Sequence, residues 1–298
     1  MAVAPFSRPV YARAMPLSID AQLEKRALVC PTTRQPLRRE GNALRSDARS
    51  YPIVSGVPML VATDIKADPS AMEAEYKAPR RRLASLRNWM RRSDYRTQHS
   101  IDACNRVLAV GEDALCLSIG GGPLRVHEKL VNLNIGPFPN VDVVGDAHQL
   151  PYADNSVDAI HCEAVFEHLH TPVVAANEIA RVLKPGAHAF VCTPFLQPFH
   201  GYPSHYQNYT MIGHRKLFED AGLEIVDSGV CNGPIVALLQ LWRTFGDLFL
   251  PSFLRPFAKA AYVFGRIAIA PLDRVLGARP DAYVLSSTTF LVARKPLR

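Results

Sequence analysis

From residue 113 onward, short continuous apolar runs alternate with one stretch of helically spaced apolar positions. The run in DALCLSI, then Val131–Ile135, Val141–Val144, Val157–Cys162 and His188–Cys192, each have the length of a strand buried on both faces. Residues 171–183 show helical spacing and stop at Lys184-Pro185-Gly186, a basic residue followed by two helix breakers. Strands alternating with helices imply a doubly wound, Rossmann-like, mostly parallel α/β sheet. Residues 281–295 are expected to supply its last strand. The glycines Gly120-Gly121-Gly122 break the first run, and a helix is expected to start after that turn, offering free N–H groups to an anion. Outside this region the pattern differs. Residues 1–20 read as a flexible tail. Residues 21–65 carry short apolar pieces between Pro and Gly turns, a small β-rich module. Residues 66–110 read as basic helices. Residues 234–275 form a helical insertion in which Leu238, Leu241, Trp242, Phe245, Leu248 and Phe249 recur at helical spacing.

Composition narrows the class. The 298 residues are 48% hydrophobic and 20% charged, which excludes a wholly disordered chain. The 34 Lys and Arg exceed the 27 Asp and Glu, a formal charge of +7 that suits an anionic partner without choosing one. Arg80, Arg81, Arg82, Arg87, Arg91, Arg92 and Arg96 concentrate that charge; they read either as a phosphate- or lipid-facing surface or as a solvated helix face. The six cysteines include no CxxC pair, so no metal site is expected and the thiols read as reduced, as in a cytoplasmic protein. MAVAPFSRPVYARAMPLSID has no continuous apolar core, so a secretory leader is not expected, and no run of 18 apolar residues suggests a spanning helix.

Two resemblances follow from motifs. The order LVCP, PL, YPI and GVPML within residues 27–61 resembles the zinc-ribbon-like module found as a methyltransferase activator. Cys30 stands alone there, with Thr33 where a second cysteine would fall, so four zinc ligands cannot be assembled. More extensively, the glycine turn, then GDAHQLPYADNSVD, then EAVFEH, then EIARVLKPG resemble the class I S-adenosylmethionine-dependent methyltransferases of the small-molecule type, over residues 113–230. The resemblance implies a seven-stranded sheet, S-adenosylmethionine as cofactor, and the following contacts. Ser118, Ile119, Gly120 and Gly122 would form the turn under the methionine half. Asn134 and Ile135 would meet the ribose, an amide replacing the usual acid. Asp146 and Ala147 would meet the adenine, and Glu163 and Ala164 would stand beside the sulfonium. Ser118 and Pro123-Leu124 depart from the usual turn. Asp158 reads as a brace, Glu167-His168 as a structural pair, and Asp154-Asn155 as a turn.

A hydroxyl acceptor needs a base near neutral pH. The stretch TPFLQPFHGYPSHYQNYT gathers His200, Tyr202, His205, Tyr206 and Tyr209, and His200 or His205 is the expected base; aromatic packing of a loop is the plainer reading. No [DN]PP[FY] follows the fourth strand and no Pro-Cys nucleophile is present, which disfavours a nucleic-acid base as acceptor. The expected acceptor is therefore a small molecule or a glycan or lipid-linked intermediate. The insertion reads as an interfacial surface meeting an anionic membrane peripherally, or as a cap or homodimer face. Ser118, Asn134 and the single Cys30 also allow an inactive interaction protein that kept the fold; an RNA-directed methyltransferase is the remaining alternative.

Overall fold

A computed structural model describes residues 16–61, 95–122, 125–200 and 204–297. Arg80 to Arg92, Pro123-Leu124 and Tyr202 lie outside the described residues, as does most of the expected tail. Five strands run parallel: β5 (Cys116–Ile119), β6 (Leu130–Asn134), β7 (Val143–Gly145), β8 (Val157–Glu163) and β9 (Leu183–Pro194). Two more, β10 (Glu224–Asn232) and β11 (Thr288–Arg294), close one edge antiparallel, with β11 between β9 and β10. The opposite edge continues through the N-terminal strands β1 (Arg38–Glu40), β2 (Ala43–Arg45), β3 (Ser50–Val54) and β4 (Val57–Leu60).

The sheet therefore has eleven strands in the order β1-β2-β3-β4-β7-β6-β5-β8-β9-β11-β10, where seven were expected. The difference lies in β4. Its Met59 and Leu60 pair parallel with Val144 and Gly145, so the four N-terminal strands join the same sheet. Leu28, Leu44, Tyr51 and Leu60 also pack into one apolar cluster with Leu117, Leu133 and Ile160. Cys30 is buried there, its sulfur 3.1 Å from the Tyr51 hydroxyl and 3.3 Å from that of Thr32.

Helices cover both faces. On one face α2 (Gln98–Leu108) buries Ala103 and Val107 against Cys116, Ala159, Phe190 and Phe290; α1 (Ile19–Glu24) precedes β1. On the other face α3 (Pro172–Val182) and α4 (Met211–Asp220) bury Ile179 and Phe218 against Leu117, Ile160 and Val191. The insertion forms α5 (Pro234–Phe249) and α6 (Arg255–Phe264), followed by the short α7 (Asp273–Leu276). Buried Asp273 caps α5 by accepting from the Ile235 and Val236 N–H groups, both at 2.9 Å.

Two local expectations fail. Among the described residues no helix follows the glycine turn: residues 125–129 form bends and turns before β6. Residues 120–129 are few for a parallel crossover, which ordinarily takes about a dozen or more. Arg125 holds this short path down with a two-pronged contact to Asp142 at 2.8 and 2.9 Å. The expected turn at Pro185-Gly186 is instead carried within β9, which starts at Leu183; Gly186 sits at φ +81° and donates to Lys295 O. The last strand occupies 288–294, with a 3-10 turn at Ala282–Leu285 before it.

Candidate functional site

After β5 the chain adds β6 and β7 on one side, then crosses to add β8 on the other. A crevice outside the carboxyl ends of β5 and β8 is where such a reversal favours ligands. Ile119, Asn134, Gly145 and Glu163 end four adjacent parallel strands. At about 4.8 Å per strand, this row spans roughly 15 Å, the length of an extended nucleoside conjugate. The sequence-predicted cofactor residues thus share one sheet edge.

The glycine turn is required by its neighbours. Gly120 has φ +71°, and a Cβ there would stand 2.2 Å from Val165 Cγ2. Gly122 also has positive φ, +58°. A Cβ on Gly121 would meet Asn132 Oδ1 at 2.3 Å and Ser118 Oγ at 2.6 Å. Ser118 and Asn132 face each other across β5 and β6, both buried. The Asn132 amide donates to Gly122 O and Asn140 O at 3.0 and 2.9 Å, so it fixes the turn from below. Among the described residues Ser118 Oγ and Asn132 Oδ1 have no hydrogen-bond partner. Asn132 was missed in the sequence because its role comes from strand register.

Asn134 is buried, and its Oδ1 accepts from Ile135 N at 2.7 Å. Asp146 accepts from the N–H and from Nδ1 of His148, at 2.9 and 2.8 Å, both on Oδ1. Oδ2 keeps its acceptor capacity. Burial opposes ionisation of Asp146, but these His148 bonds outweigh it and hold the carboxyl below its ordinary range. Ala147 packs against the core. An amide able to donate, an ionised carboxylate and a glycine backbone form a donor set that fits a nucleoside carrying an amino-acid tail.

Glu163 ends β8, as expected, but with partners that the sequence did not name. It forms an ion pair with Arg96 and stands 3.5 Å from His161 Nε2. Burial resists its ionisation, yet the His161 bond and the Arg96 charge hold its carboxyl down at about 2. Arg96 is thereby internal to the site rather than part of a basic outer surface. Ala164 is exposed at φ +53° and donates to Cys192 O, which turns the chain toward Val165 and Gly120. Asp158 braces as expected, accepting from Leu115 N and Lys184.

The motif EIARVLKPG proves to be a fastener. Glu178 accepts from Arg34, Leu150 N–H and two nitrogens of Arg181 at 2.7–2.8 Å. Leu150 follows Asp146 on the same loop, so α3 holds the loop that carries Asp146.

His200 and His205 come together, ring centroids 4.3 Å apart. His205 does not suit the role of base. Its Nδ1 accepts from His200 N–H at 3.1 Å and its Nε2 pairs with Asn208 Oδ1 at 2.7 Å, so both nitrogens hold the loop. His200 Nδ1 bonds to Pro198 O at 3.1 Å, which directs the basic lone pair to Nε2.

Residues 99–191 match the family model described as a methyltransferase domain. A demethylmenaquinone methyltransferase of Renibacterium salmoninarum is 33% identical over 103 residues, 34% of this chain and 40% of that protein. A protein of Mycolicibacterium smegmatis, described as a probable S-adenosylmethionine-dependent methyltransferase, is 32% identical over 138 residues, 42% of this chain and 51% of that protein. The chain thus spans about half or less of the length of these curated relatives. Among solved structures, a phosphoethanolamine N-methyltransferase of Haemonchus contortus with S-adenosylhomocysteine is similar at TM-score 0.38 and 17% identity, covering 66% of this chain and 52% of that one. The YcgJ protein of a Bacillus is similar at TM-score 0.41 and 15% identity, covering 66% of this chain and 98% of that one. By sequence, residues 99–191 are thus similar to methyltransferase domains, and the relatives they match include one described as S-adenosylmethionine-dependent.

Proposed function

We propose that the chain transfers a methyl group from S-adenosylmethionine to an oxygen of an apolar small molecule or lipid-linked glycan intermediate. The cofactor, when bound, supplies a sulfonium methyl for in-line displacement. The observation that supports its site is the row of strand ends carrying Gly120, Asn134, Asp146 and Glu163 beside the β5–β8 reversal. The glycine turn would hold the amino-acid tail, Asn134 the ribose and Asp146 the adenine amino group. The enzyme's larger task is alignment, which the fastened turn and loop serve.

Calorimetry with S-adenosylmethionine tests this reading. Binding in the micromolar range is expected, weakened in Asp146→Ala by roughly ten- to a hundredfold, as for loss of a hydrogen bond to a charged group. No binding at millimolar cofactor would overturn the enzyme reading in favour of an interaction protein, for which Ser118 and Asn134, at positions where the family usually has acids, speak.

The apolar acceptor is supported by the insertion. Phe249, Phe253 and Phe257 are 71%, 71% and 72% exposed, and Leu238, Trp242, Phe245 and Leu248 also face outward. Exposed large apolar side chains gathered on two packed helices mark an interaction surface. It is tied to the acceptor loop: Ser287 Oγ donates to Gln240 of α5 at 2.7 Å and accepts from Gln197 at 3.1 Å. Among the described residues no helix is long and apolar enough to cross a membrane. Peripheral docking of α5 and α6 on an anionic bilayer is therefore proposed. Co-sedimentation with anionic vesicles is expected for the wild type and reduced by Phe253→Ser with Phe257→Ser; equal binding by both would remove the docking role from this face.

A further inference from the structure

The 3-10 turn Phe166–His168 after β8 buries Glu167 to 1% exposure, and neither of its carboxylate oxygens has a hydrogen-bond partner among the described residues. An unpaired carboxylate in that position is costly unless something polar meets it. Two imidazoles approach it. His168 Nε2 and His200 Nε2 each stand 3.8 Å from Glu167 Oε1. One donor atom from each of the three residues lies within 4.8 Å of the other two.

The tautomers agree with this convergence. His168 directs Nδ1 to Ser204 O, and His200 directs Nδ1 to Pro198 O. Each ring then donates from Nδ1 to a backbone carbonyl and presents the Nε2 lone pair toward Glu167. That is the arrangement in which a metal-ligating histidine is ordinarily held, its second nitrogen fixed by an outer carbonyl. The surrounding frame is itself secured. Gln207 donates to Phe166 O and Leu169 O at 2.7 and 2.9 Å, and Tyr206 N–H donates to Glu167 O at 2.8 Å. The buried Tyr209 hydroxyl also lacks a hydrogen-bond partner among the described residues; burial and then the Glu167 charge push its phenol above the ordinary range.

We propose that Glu167, His168 and His200 form a binding site for a first-row divalent cation, with remaining positions open to water or substrate oxygen. Two imidazoles and one carboxylate are the donor set of open zinc and non-haem iron sites, and they favour Zn²⁺, Fe²⁺ or Mn²⁺ over Mg²⁺ or Ca²⁺. Donors about 2 Å from a common ion stand about 3.0–3.4 Å apart, so the observed spacing needs a closing movement below about 1 Å on each side. The site lies between the loops after β8 and β9, on the acceptor side of the sheet edge. Its use rests on the methyl-transfer reading: a bound cation would orient an acceptor oxygen and favour its ionised form, the proton passing to solvent. Binding of the cation does not depend on that reading. The sequence points to no metal because it offers no compact ligand spacing; the fold joins positions 167–168 with position 200.

Chelator-treated full-length protein is titrated with Co²⁺ alone, then with Zn²⁺. One equivalent of Co²⁺ is expected to give a visible ligand-field band that Zn²⁺ abolishes. The band should be lost in His200→Ala and Glu167→Gln. His200 stands on a loop with a partly exposed side chain, so its variant keeps the test valid if the buried Glu167→Gln misfolds by circular dichroism. No band at tenfold excess Co²⁺, or an unchanged band in folded His200→Ala, would overturn the proposal, the latter by assigning the metal to cysteines. S-adenosylmethionine calorimetry on the same samples separates the two readings: cofactor binding without Co²⁺ binding sinks the metal site alone, and the reverse sinks the cofactor site alone.

Discussion

Gly120→Ala is expected to abolish measurable S-adenosylmethionine binding and to cost about 3 kcal/mol of stability, the sum of about 1–2 for a left-handed non-glycine residue and about 1–3 for overpacking. The conformational part follows from φ +71°, and the packing part from the 2.2 Å approach to Val165 Cγ2. Val165 cannot yield freely, because Ala164 before it is held by Cys192 O and Phe166 after it is fully buried. For a chain of this size the loss should appear as a fall of roughly 6 °C or more in melting temperature. Gly41→Ala is the control. Gly41 has φ +60° but nothing within 4 Å of its would-be Cβ, so only the conformational cost applies and cofactor binding should persist. Equal effects of the two variants would show that the Val165 contact does not shape the turn. Wild-type cofactor affinity in Gly120→Ala would detach the turn from the binding site.

The second large effect is expected for Glu178→Ala, a loss of about 3 kcal/mol, the lower end for breaking a buried ion pair. Four bonds of 2.7–2.8 Å disappear together, and the Leu150 N–H is left buried without a partner. The lower end applies because the Arg34 side chain is 37% exposed and regains water. Burial resists ionisation of Glu178, but Arg181 and Arg34 outweigh it and lower its carboxyl. A carboxyl lowered on folding stabilises fully above its unfolded value and ceases to do so as pH falls through its folded value. Denaturant midpoints of wild type and Glu178→Ala should therefore differ most near neutrality and converge in acid. A difference that stays constant into acid would show that the charge is not what Glu178 contributes. Because Leu150 shares a loop with Asp146, cofactor affinity should fall in Glu178→Ala as well.

The same fastener explains how far a motif can be read. Glu178, Arg181, Asp146 and the glycines were recognisable because each is a fixed chemical type at a short spacing from a strand or helix end. Their partners were not. Asn132 acts through its register with Ser118, and Arg34 reaches Glu178 across 144 positions of chain. Arg96 looked like one of a run of surface arginines, yet it neutralises Glu163 at the carboxyl end of β8. His205 looked as basic as His200 until the loop showed both its nitrogens engaged.

The sequence by itself determined the parallel α/β class and the strands from β5 to β9, because buried strands and glycine turns are set by local period and backbone sterics. It also determined the two insertion helices through their apolar spacing. Only the tertiary structure decided that β4 extends the sheet to eleven strands, that residues 125–129 form bends and turns before β6, and that Glu167, His168 and His200 converge. Strand pairing, ion pairing and ligand convergence join residues far apart in the chain, and the free energy that selects them comes from desolvation and packing, which local periodicity does not encode.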